Sequence, residues 1–295
     1  MIVIGSLNMD LTMYVDHFPR TGETITSKAM MTSLGGKGSN QALAAARLGA
    51  RVAMAGCVGR DAYGDVLIDG LKAENIDTTL VRRSESVGTG TAMIAVCGGS
   101  NKIIVDAGAN ACVTPKDIEA MKNDIANARA LILQLEIPLR AVERAIEIAS
   151  CHATRVFLNP APYQDFPMEV MAKADYVIPN ETEAMRMLGW ERVDAGNAER
   201  ALRQLRTAGI KNPIITMGSR GVAYLDGETY HHQPCCPVQA VDSTAAGDTF
   251  IGALSSALLR GKTLNESVAF AQRAAAYCVS KKGAHASIPM LRDLM

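Results

Sequence analysis

The ten residues VDSTAAGDTF, at positions 241–250, lie directly before an apolar run at 250–259 that has the character of a helix. The first N–H groups of a helix lack intrahelical partners and carry a partial positive charge, so anions bind there. Ala245, Ala246 and Gly247 are small enough to let a phosphate approach the backbone. The stretch therefore predicts an anion site at the start of this helix.

Asp248 does not fit a simple anion site, because its carboxylate would repel a phosphate. A carboxylate at such a place has a use if it removes the proton from a hydroxyl that attacks the phosphate. The alternative is that Ser243 or Asp248 only caps the helix. The stretch by itself leaves both interpretations open.

The composition excludes several classes of protein. The 295 residues make one large domain or two small ones, and an apolar content of 48% allows a sizeable core. Lys+Arg and Asp+Glu are equal at 30 each, so no nucleic-acid or anionic-membrane surface is indicated. Asp10 and Asp16 interrupt any signal peptide, and no apolar stretch is long enough to span a membrane. Seven scattered cysteines without a C-x-x-C pair fit a cytoplasmic protein with reduced thiols.

Strand-like and helix-like segments alternate along the chain. A buried strand is expected at 1–5, and alternation of this kind is typical of a mostly parallel sheet with helices on both faces. No G-x-G-x-x-G is present, which argues against a dinucleotide-binding protein. The further segments are strands at 52–58, 130–133, 155–158, 176–179 and 214–217, and helices at 61–73, from 114, 138–152 and 264–278.

Two more motifs accompany the 241–250 stretch. Asn8 and Asp10 follow the first strand, where polar groups face the ligand crevice of a parallel sheet, although both are also common turn residues. A glycine-rich turn, GGKGSN at 35–40, precedes a helix-forming run at 41–48. In this order, the motifs and the alternating segments resemble the ribokinase-like (PfkB) family of carbohydrate kinases over nearly the whole chain.

The resemblance implies a three-layer α/β fold for residues 1–295, as a single kinase domain with a central, mostly parallel sheet. It also implies a small β-sheet lid, built from antiparallel strands inserted at about 11–34 and 88–106. In this family such a sheet has one apolar face and pairs with its twin, so a homodimer is expected. A lid suits a kinase, because water must be kept from the transferred phosphoryl group.

The implied reaction moves the γ-phosphoryl group of ATP onto the primary (5-)hydroxyl of D-ribose. Close alternatives are 2-deoxyribose, a fructose-type sugar or a nucleoside as the acceptor, and a catalytically silent sugar-binding protein is a different class of alternative. The implied catalytic residues are Asp248 as the base, with the backbone N–H groups of Ala245, Ala246, Gly247 and Asp248 itself. The implied sugar-binding residues are Asn8, Asp10, Gly36, Lys37, Gly38, Ser39, Asn40, Glu136 and Asp248.

The resemblance also implies sites for ATP, Mg²⁺ and a monovalent cation, K⁺. Glu183 would order the magnesium through water, although Asn180 and Glu183 also have the spacing of a helix capping box. Arg220 would pair with a phosphate, or is simply an exposed arginine in a hairpin turn. The implied nucleotide-binding residues are Asn180, Thr216, Gly218, Ser219, Arg220, Gly221, Gly247 and Gln272. The implied K⁺-site residues are Asp242, Thr244, Cys278, Lys281, Gly283 and Ser287.

Overall fold

The computed structural model describes residues 1–98 and 100–295, so Gly99, within the predicted segment 88–106, lies outside the described residues. Thirteen strands form two separate sheets. In chain order they are β1 (Ile2–Ile4), β2 (Asn8–Tyr14), β3 (Ala29–Gly35), β4 (Ala53–Gly59), β5 (Asp77–Ser84), β6 (Gly90–Cys97), β7 (Ser100–Asp106), β8 (Ala130–Leu133), β9 (Arg155–Leu158), β10 (Tyr176–Val177), β11 (Asn212–Thr216), β12 (Val222–Asp226) and β13 (Thr229–Gln233).

The large sheet has nine strands in the order β13-β12-β11-β10-β9-β8-β1-β4-β5. Its strands are parallel from β5 to β11, and β12 and β13 add an antiparallel edge. In β8, Leu131 and Leu133 belong to the core on one face, and Ile132 belongs to the core on the other. Successive side chains of a strand point to opposite faces, so a strand buried on both faces is continuously apolar. The predicted α/β architecture is confirmed.

Within residues 1–98 and 100–295, ten α-helices cover the two faces of this sheet. They are α1 (Lys37–Arg47), α2 (Ala62–Ala73), α3 (Pro115–Ala120), α4 (Lys122–Asn127), α5 (Leu139–Ser150), α6 (Met168–Met171), α7 (Glu181–Leu188), α8 (Ala198–Thr207), α9 (Ala246–Leu259) and α10 (Leu264–Val279). Helices α1, α2, α9 and α10 pack on one face, and α3, α4, α5, α6, α7 and α8 pack on the other. Within the described part of the chain, no helix is both long and apolar enough to cross a membrane.

The small sheet has the order β3-β2-β6-β7. Its two hairpins, β2–β3 and β6–β7, are antiparallel as expected, but β2 and β6 pair in parallel, which the sequence did not indicate. Asn8 and Asp10 follow β1 as expected, but they lie inside β2, so the alternative that they are only turn residues is not borne out. Both side chains are buried.

Helix α9 begins at Ala246, four residues before the predicted start at 250, and Ala245 precedes it in a left-handed conformation with φ of 61°. It packs closely against α1, because a Cβ built on Gly252 would come within 2.6 Å of the Ala44 Cβ. Asp248 therefore lies in the first turn of α9, facing the first turns of α1. The contact between the two helices positions the candidate site.

Candidate active site

The carboxylate of Asp248 is buried but accessible, with 8% of the residue exposed. Oδ2 accepts a hydrogen bond of 2.9 Å from Asn40 Nδ2, and Oδ1 accepts one of 2.9 Å from Gln41 Nε2. Both donors come from α1. Since each oxygen receives an amide N–H, the orientation of the carboxylate is fixed.

Behind Asp248, Gln41 belongs to a network of buried amides at the ends of two central strands. Gln134 directly follows β8, and its Nε2 donates to Gln41 Oε1 at 2.6 Å. Asn159 directly follows β9, and its Oδ1 accepts from Gln41 Nε2 at 3.2 Å. The network joins α1, the large sheet and α9 at the place where Asp248 is held.

The start of α9 leaves free N–H donors, as predicted for an anion site. In residues 1–98 and 100–295, the N–H groups of Gly247 and Asp248 have no hydrogen-bond partner, whereas that of Ala246 donates to the Ser243 oxygen at 3.3 Å. A Cβ built on Gly247 would meet no atom within 4 Å. The approach to these two donors is therefore open, and the Ala246 N–H is already engaged.

A cavity of about 230 Å³ lies in front of Asp248, and Lys37, Glu183 and Thr216 line it as well. It shares Asn180, Thr216, Ser243 and Gly247 with a larger cleft of about 610 Å³. The predicted nucleotide residues Asn180, Thr216, Gly218, Ser219, Gly221, Gly247 and Gln272 all line this larger cleft. The start of α9 thus lies between a small polar cavity and a cleft large enough for a nucleotide.

A third cavity, of about 340 Å³, is lined in part by residues of the small sheet. Asn8 lines it, and its Oδ1 accepts from Asn110 Nδ2 at 2.7 Å. Glu136 lines it too, and its Oε2 accepts from Ser6 Oγ at 2.5 Å and from the Lys37 N–H at 3.2 Å. Val105 closes this cavity from strand β7 of the small sheet.

The predicted site residues form a concentrated group of charges. Burial, together with the nearby carboxylates of Glu136 and Asp248, raises the pKa of Asp10 to about 7. Burial works against the charge of Lys37, but the carboxylates of Asp248, Glu136 and Glu183 outweigh it and raise the pKa of Lys37. One ammonium group is thus surrounded by carboxylates, which is an arrangement suited to binding a neutral polyol.

The glycines of the 35–40 motif are required by steric contacts. Gly36 has φ of 89°, and a Cβ built on it would lie 2.8 Å from the Asn8 nitrogen. A Cβ on Gly38 would lie 2.7 Å from the Ser6 nitrogen, and one on Gly35 would lie 2.3 Å from the Asp10 carboxylate. These glycines let the start of α1 touch the β1–β2 turn and the acidic group of β2.

Two predicted side chains point to other partners. The Ser39 hydroxyl is fully buried and lies 2.9 Å from His285 Nε2, so its side chain is directed toward the C-terminal loop. Arg220 pairs with Glu181, which matches the alternative of an exposed arginine, although its neighbours Ser219 and Gly221 line the large cleft.

Asn180 and Glu183 form the capping box of α7, as the alternative interpretation proposed. Glu183 Oε2 accepts from the Asn180 N–H at 2.8 Å, and Asn180 Oδ1 accepts from the Glu183 N–H at 2.9 Å. Both residues also line the cavity in front of Asp248. Burial raises the pKa of Glu183, against the opposing effects of the Asn180 hydrogen bonds and of Lys37. Capping and a role in the cavity are therefore compatible.

The residues predicted for a monovalent cation come together where the loop before α9 meets the end of α10 and the loop that follows it. Asp242 Oδ1 accepts from the Thr244 N–H at 2.9 Å, and Asp242 Oδ2 accepts from the Gly283 N–H at 2.9 Å. Cys278 Sγ lies 3.0 Å from Ser287 Oγ, and the Lys281 N–H donates to the Cys278 oxygen at 3.1 Å. Although burial opposes it, hydrogen bonds from Thr244 and Gly283 lower the pKa of Asp242, so this loop holds a negative charge.

Several residues of the site were missed from the sequence. Gln41 directly follows the glycine-rich motif, and its place next to Asn40 was the available signal. Asn110 and Asn159 gave none, because their partners lie far away in the chain. His/Cys/Asp/Glu clusters able to hold a metal by themselves are absent from the described residues.

The chain is similar to known proteins over almost its whole length. A family model described as pfkB family carbohydrate kinase matches residues 1–291. A Ribokinase of Haemophilus influenzae is 40% identical, over 99% of this chain and 96% of that protein. A Deoxyribokinase of Salmonella typhimurium is 36% identical, with the same two coverages.

Solved structures have the same fold. A Ribokinase from Thermotoga maritima has a TM-score of 0.91 at 35% identity, over 99% of this chain and 97% of that one. An Arabidopsis thaliana Ribokinase, described as complexed with ribose and ATP, has a TM-score of 0.89 at 32% identity, over 99% and 96% of the two chains.

Proposed function

The chain belongs to the pfkB family of carbohydrate kinases, and we propose that it transfers the γ-phosphoryl group of ATP to the 5-hydroxyl of D-ribose. The observation that carries this proposal is the position of Asp248. Its carboxylate is held by two amide donors at the start of a helix, beside free N–H groups, and it lines a cavity that shares residues with a cleft large enough for a nucleotide. A sugar-binding protein without catalysis would need neither the carboxylate nor the donors.

In the proposed reaction, Asp248 accepts the proton of the attacking hydroxyl. The N–H groups of Gly247 and Asp248 then stabilise the charge that develops on the transferred phosphoryl group. Removing one donor of this kind typically costs about 100- to 1000-fold in rate. The Ala246 N–H is a weaker candidate than the sequence implied, because it already donates to Ser243.

The sugar would occupy the space between Asp248 and the cavity that contains Asn8 and Glu136. Asn8, Asp10, Lys37, Asn40 and Glu136 would orient its hydroxyls, and this positioning supplies much of the rate enhancement. Gly36 and Gly38 would act by close packing, and Ser39 through the backbone.

The nucleotide would lie in the cleft of about 610 Å³, with its phosphates directed toward the start of α9. Glu183 lines the neighbouring cavity, and both its carboxylate oxygens already accept hydrogen bonds from Asn180. Because both oxygens are engaged, Glu183 fits a contact to Mg²⁺ through water. When bound, Mg²⁺ supplies neutralisation of the phosphate charge. Turnover that persists in excess EDTA would contradict this part of the proposal.

A monovalent cation, K⁺, would bind between the loops of Asp242 and Gly283, where the carboxylate supplies the charge. Such an ion would steady the loop that leads into α9. The measurement is turnover in potassium chloride against choline chloride at equal ionic strength. Equal rates would remove the cation from the proposal.

We also propose that the small sheet is a lid and the contact surface of a homodimer, and that the enzyme is cytoplasmic. The large side chains of Met93 and Ile104 are exposed on this sheet and directly paired across β6 and β7. An uncovered apolar patch of this kind is typical of an interaction surface.

The seven cysteines are all free, as in a reducing compartment, which supports the proposed cytoplasmic location.

The decisive experiment is an acceptor panel with ATP and Mg²⁺, in which ADP release is measured with D-ribose, 2-deoxyribose, fructose and adenosine. We expect the highest kcat/KM for D-ribose. A clear preference for 2-deoxyribose would identify the second candidate, which the 36% identity to a Deoxyribokinase supports. Absence of ADP release with every acceptor would contradict the kinase itself.

A further inference from the structure

Gln41 contacts Asp248 from the side away from the cavities. It lies on α1, and its relative exposure is 0%. Its Nε2 is 2.9 Å from Asp248 Oδ1. A side chain with no exposed surface reaches a substrate only through its neighbour, so any effect of Gln41 on the reaction passes through the carboxylate.

The surroundings of Gln41 determine which end of its amide faces Asp248. Gln134 donates to Gln41 Oε1, so the NH₂ group of Gln41 is directed toward Asp248 and Asn159. Asn159 is fixed in turn, because its Nδ2 donates to the Ile178 oxygen at 3.0 Å. A reversed Gln41 amide would place its oxygen against a carboxylate oxygen and would leave two acceptors without donors.

We propose that Gln41 is a positioning residue for phosphoryl transfer, which holds the carboxylate of Asp248 in the orientation that accepts the proton of the sugar hydroxyl. This inference rests on the proposed kinase function. Asn40, the other donor to Asp248, is itself a candidate sugar ligand. Gln41 has no exposed surface, so its contact with Asp248 is the one that a substrate does not reach directly.

The test is Gln41→Met, which keeps the length of the side chain and removes both its donor and its acceptor. We expect kcat to fall about 10- to 100-fold, because a hydrogen bond to a charged group and the alignment of the base are both lost. The KM for sugar and for ATP, and the calorimetric affinity for the sugar, should stay within about threefold. A role in overall packing alone would not separate kcat from KM in this way.

Ser256→Ala is the matched control. The Ser256 hydroxyl on α9 donates to the Leu48 oxygen just beyond the end of α1 at 2.8 Å, so it joins the same two helices without touching the site. It is also buried. We expect Ser256→Ala to lower the Tm by a few degrees, as Gln41→Met does, while its kcat stays within about twofold of the native enzyme.

A kcat of Gln41→Met equal to that of Ser256→Ala would overturn the proposal, and so would an increase in KM with unchanged kcat. If the Met variant does not fold, Gln41→Glu decides, because it keeps the shape and the acceptor for Gln134 but places a carboxylate against Asp248. We expect that variant to lose more than about 100-fold in kcat, and native turnover would overturn the proposal. Failure of the proposed function is a separate result, since it appears as inactivity of the native enzyme on D-ribose.

Discussion

Asn40 and Asp248 are 208 residues apart in the chain, and Asn40 Nδ2 lies 2.9 Å from Asp248 Oδ2. This bond links the glycine-rich motif at 35–40 with the stretch at 241–250. The same contact would join the residues that bind the sugar to the residue that deprotonates it.

The substitution Asp248→Asn tests the base directly. We expect turnover to fall about 1000-fold or more, because an amide cannot accept the hydroxyl proton. Sugar affinity should stay within a few-fold, measured by calorimetry beside the ADP-release rate. Hydrogen bonds to a neutral amide are weaker than hydrogen bonds to a carboxylate, so we also expect a stability loss of about 1–3 kcal/mol. A mild loss of turnover in the folded variant would show that Asp248 is not the base.

Gly247→Ala tests the space in front of the free N–H donors. Its Cβ meets no atom within 4 Å, and alanine favours a helix, so stability should stay equal or rise by about 0.5–1 kcal/mol. The methyl group would occupy the path of the phosphate, and we expect kcat/KM for ATP to fall at least about tenfold.

Gly252→Ala is the control for this substitution on the same helix. Its Cβ would come within 2.6 Å of the Ala44 Cβ, so we expect a destabilisation of about 1–3 kcal/mol from overpacking. In thermal unfolding, Gly247→Ala should be the more stable of the two variants. In steady-state kinetics, it should have the lower kcat/KM for ATP. If Gly247→Ala keeps native kinetics, the phosphate does not approach this turn.

The sequence indicated the order of layers well, because strand and helix patterns are local. Residues 130–133 are apolar without interruption, and they form a strand buried on both faces. The start of α9 was placed four residues too late, since small residues such as Ala245 and Gly247 carry no helical periodicity. The left-handed conformation of Ala245 depends on its tertiary surroundings and has no local signal.

The candidate site was predicted by motifs, and the residues that support it were not. Asn40 and Asp248 each belong to a recognisable stretch, but Gln134 and Asn159 matter only because two strand ends meet behind α1. Such contacts join distant parts of the chain. The parallel pairing of β2 with β6 was missed for the same reason.

Asp10 should make stability depend on pH. Its pKa is about 7 in the folded protein against 3.8 for an aspartate in the unfolded chain, so ionisation opposes folding. The stability that it contributes is complete below pH 3.8 and is lost as the pH rises to about 7. We compare the free energies of unfolding of Asp10→Asn and the native protein by urea unfolding. We expect the difference between them to grow in favour of Asp10→Asn by about 2–3 kcal/mol as the pH is raised from 5 to 8. Asp69→Asn, at an exposed carboxylate on α2, is the control, and its stability relative to the native protein should be the same at pH 5 and pH 8. If the stability of Asp10→Asn relative to the native protein is also the same at both pH values, the raised pKa is contradicted.

The oligomeric state tests the apolar face of the small sheet. Ile104 is 71% exposed, and it lies opposite Met93, which is 46% exposed. Burying both against a second copy would remove apolar surface from water, at about 25 cal/mol per Å². A lysine at position 104 would have to be buried without a partner in such an interface, so Ile104→Lys should shift the protein from dimer to monomer in sedimentation velocity. Val66→Lys is the control. It replaces another exposed apolar side chain, which is 51% exposed and lies on α2, and it should leave the oligomeric state of the native protein unchanged. A native protein that sediments as a monomer, or an Ile104→Lys variant that remains dimeric, would show that two copies do not meet through this face.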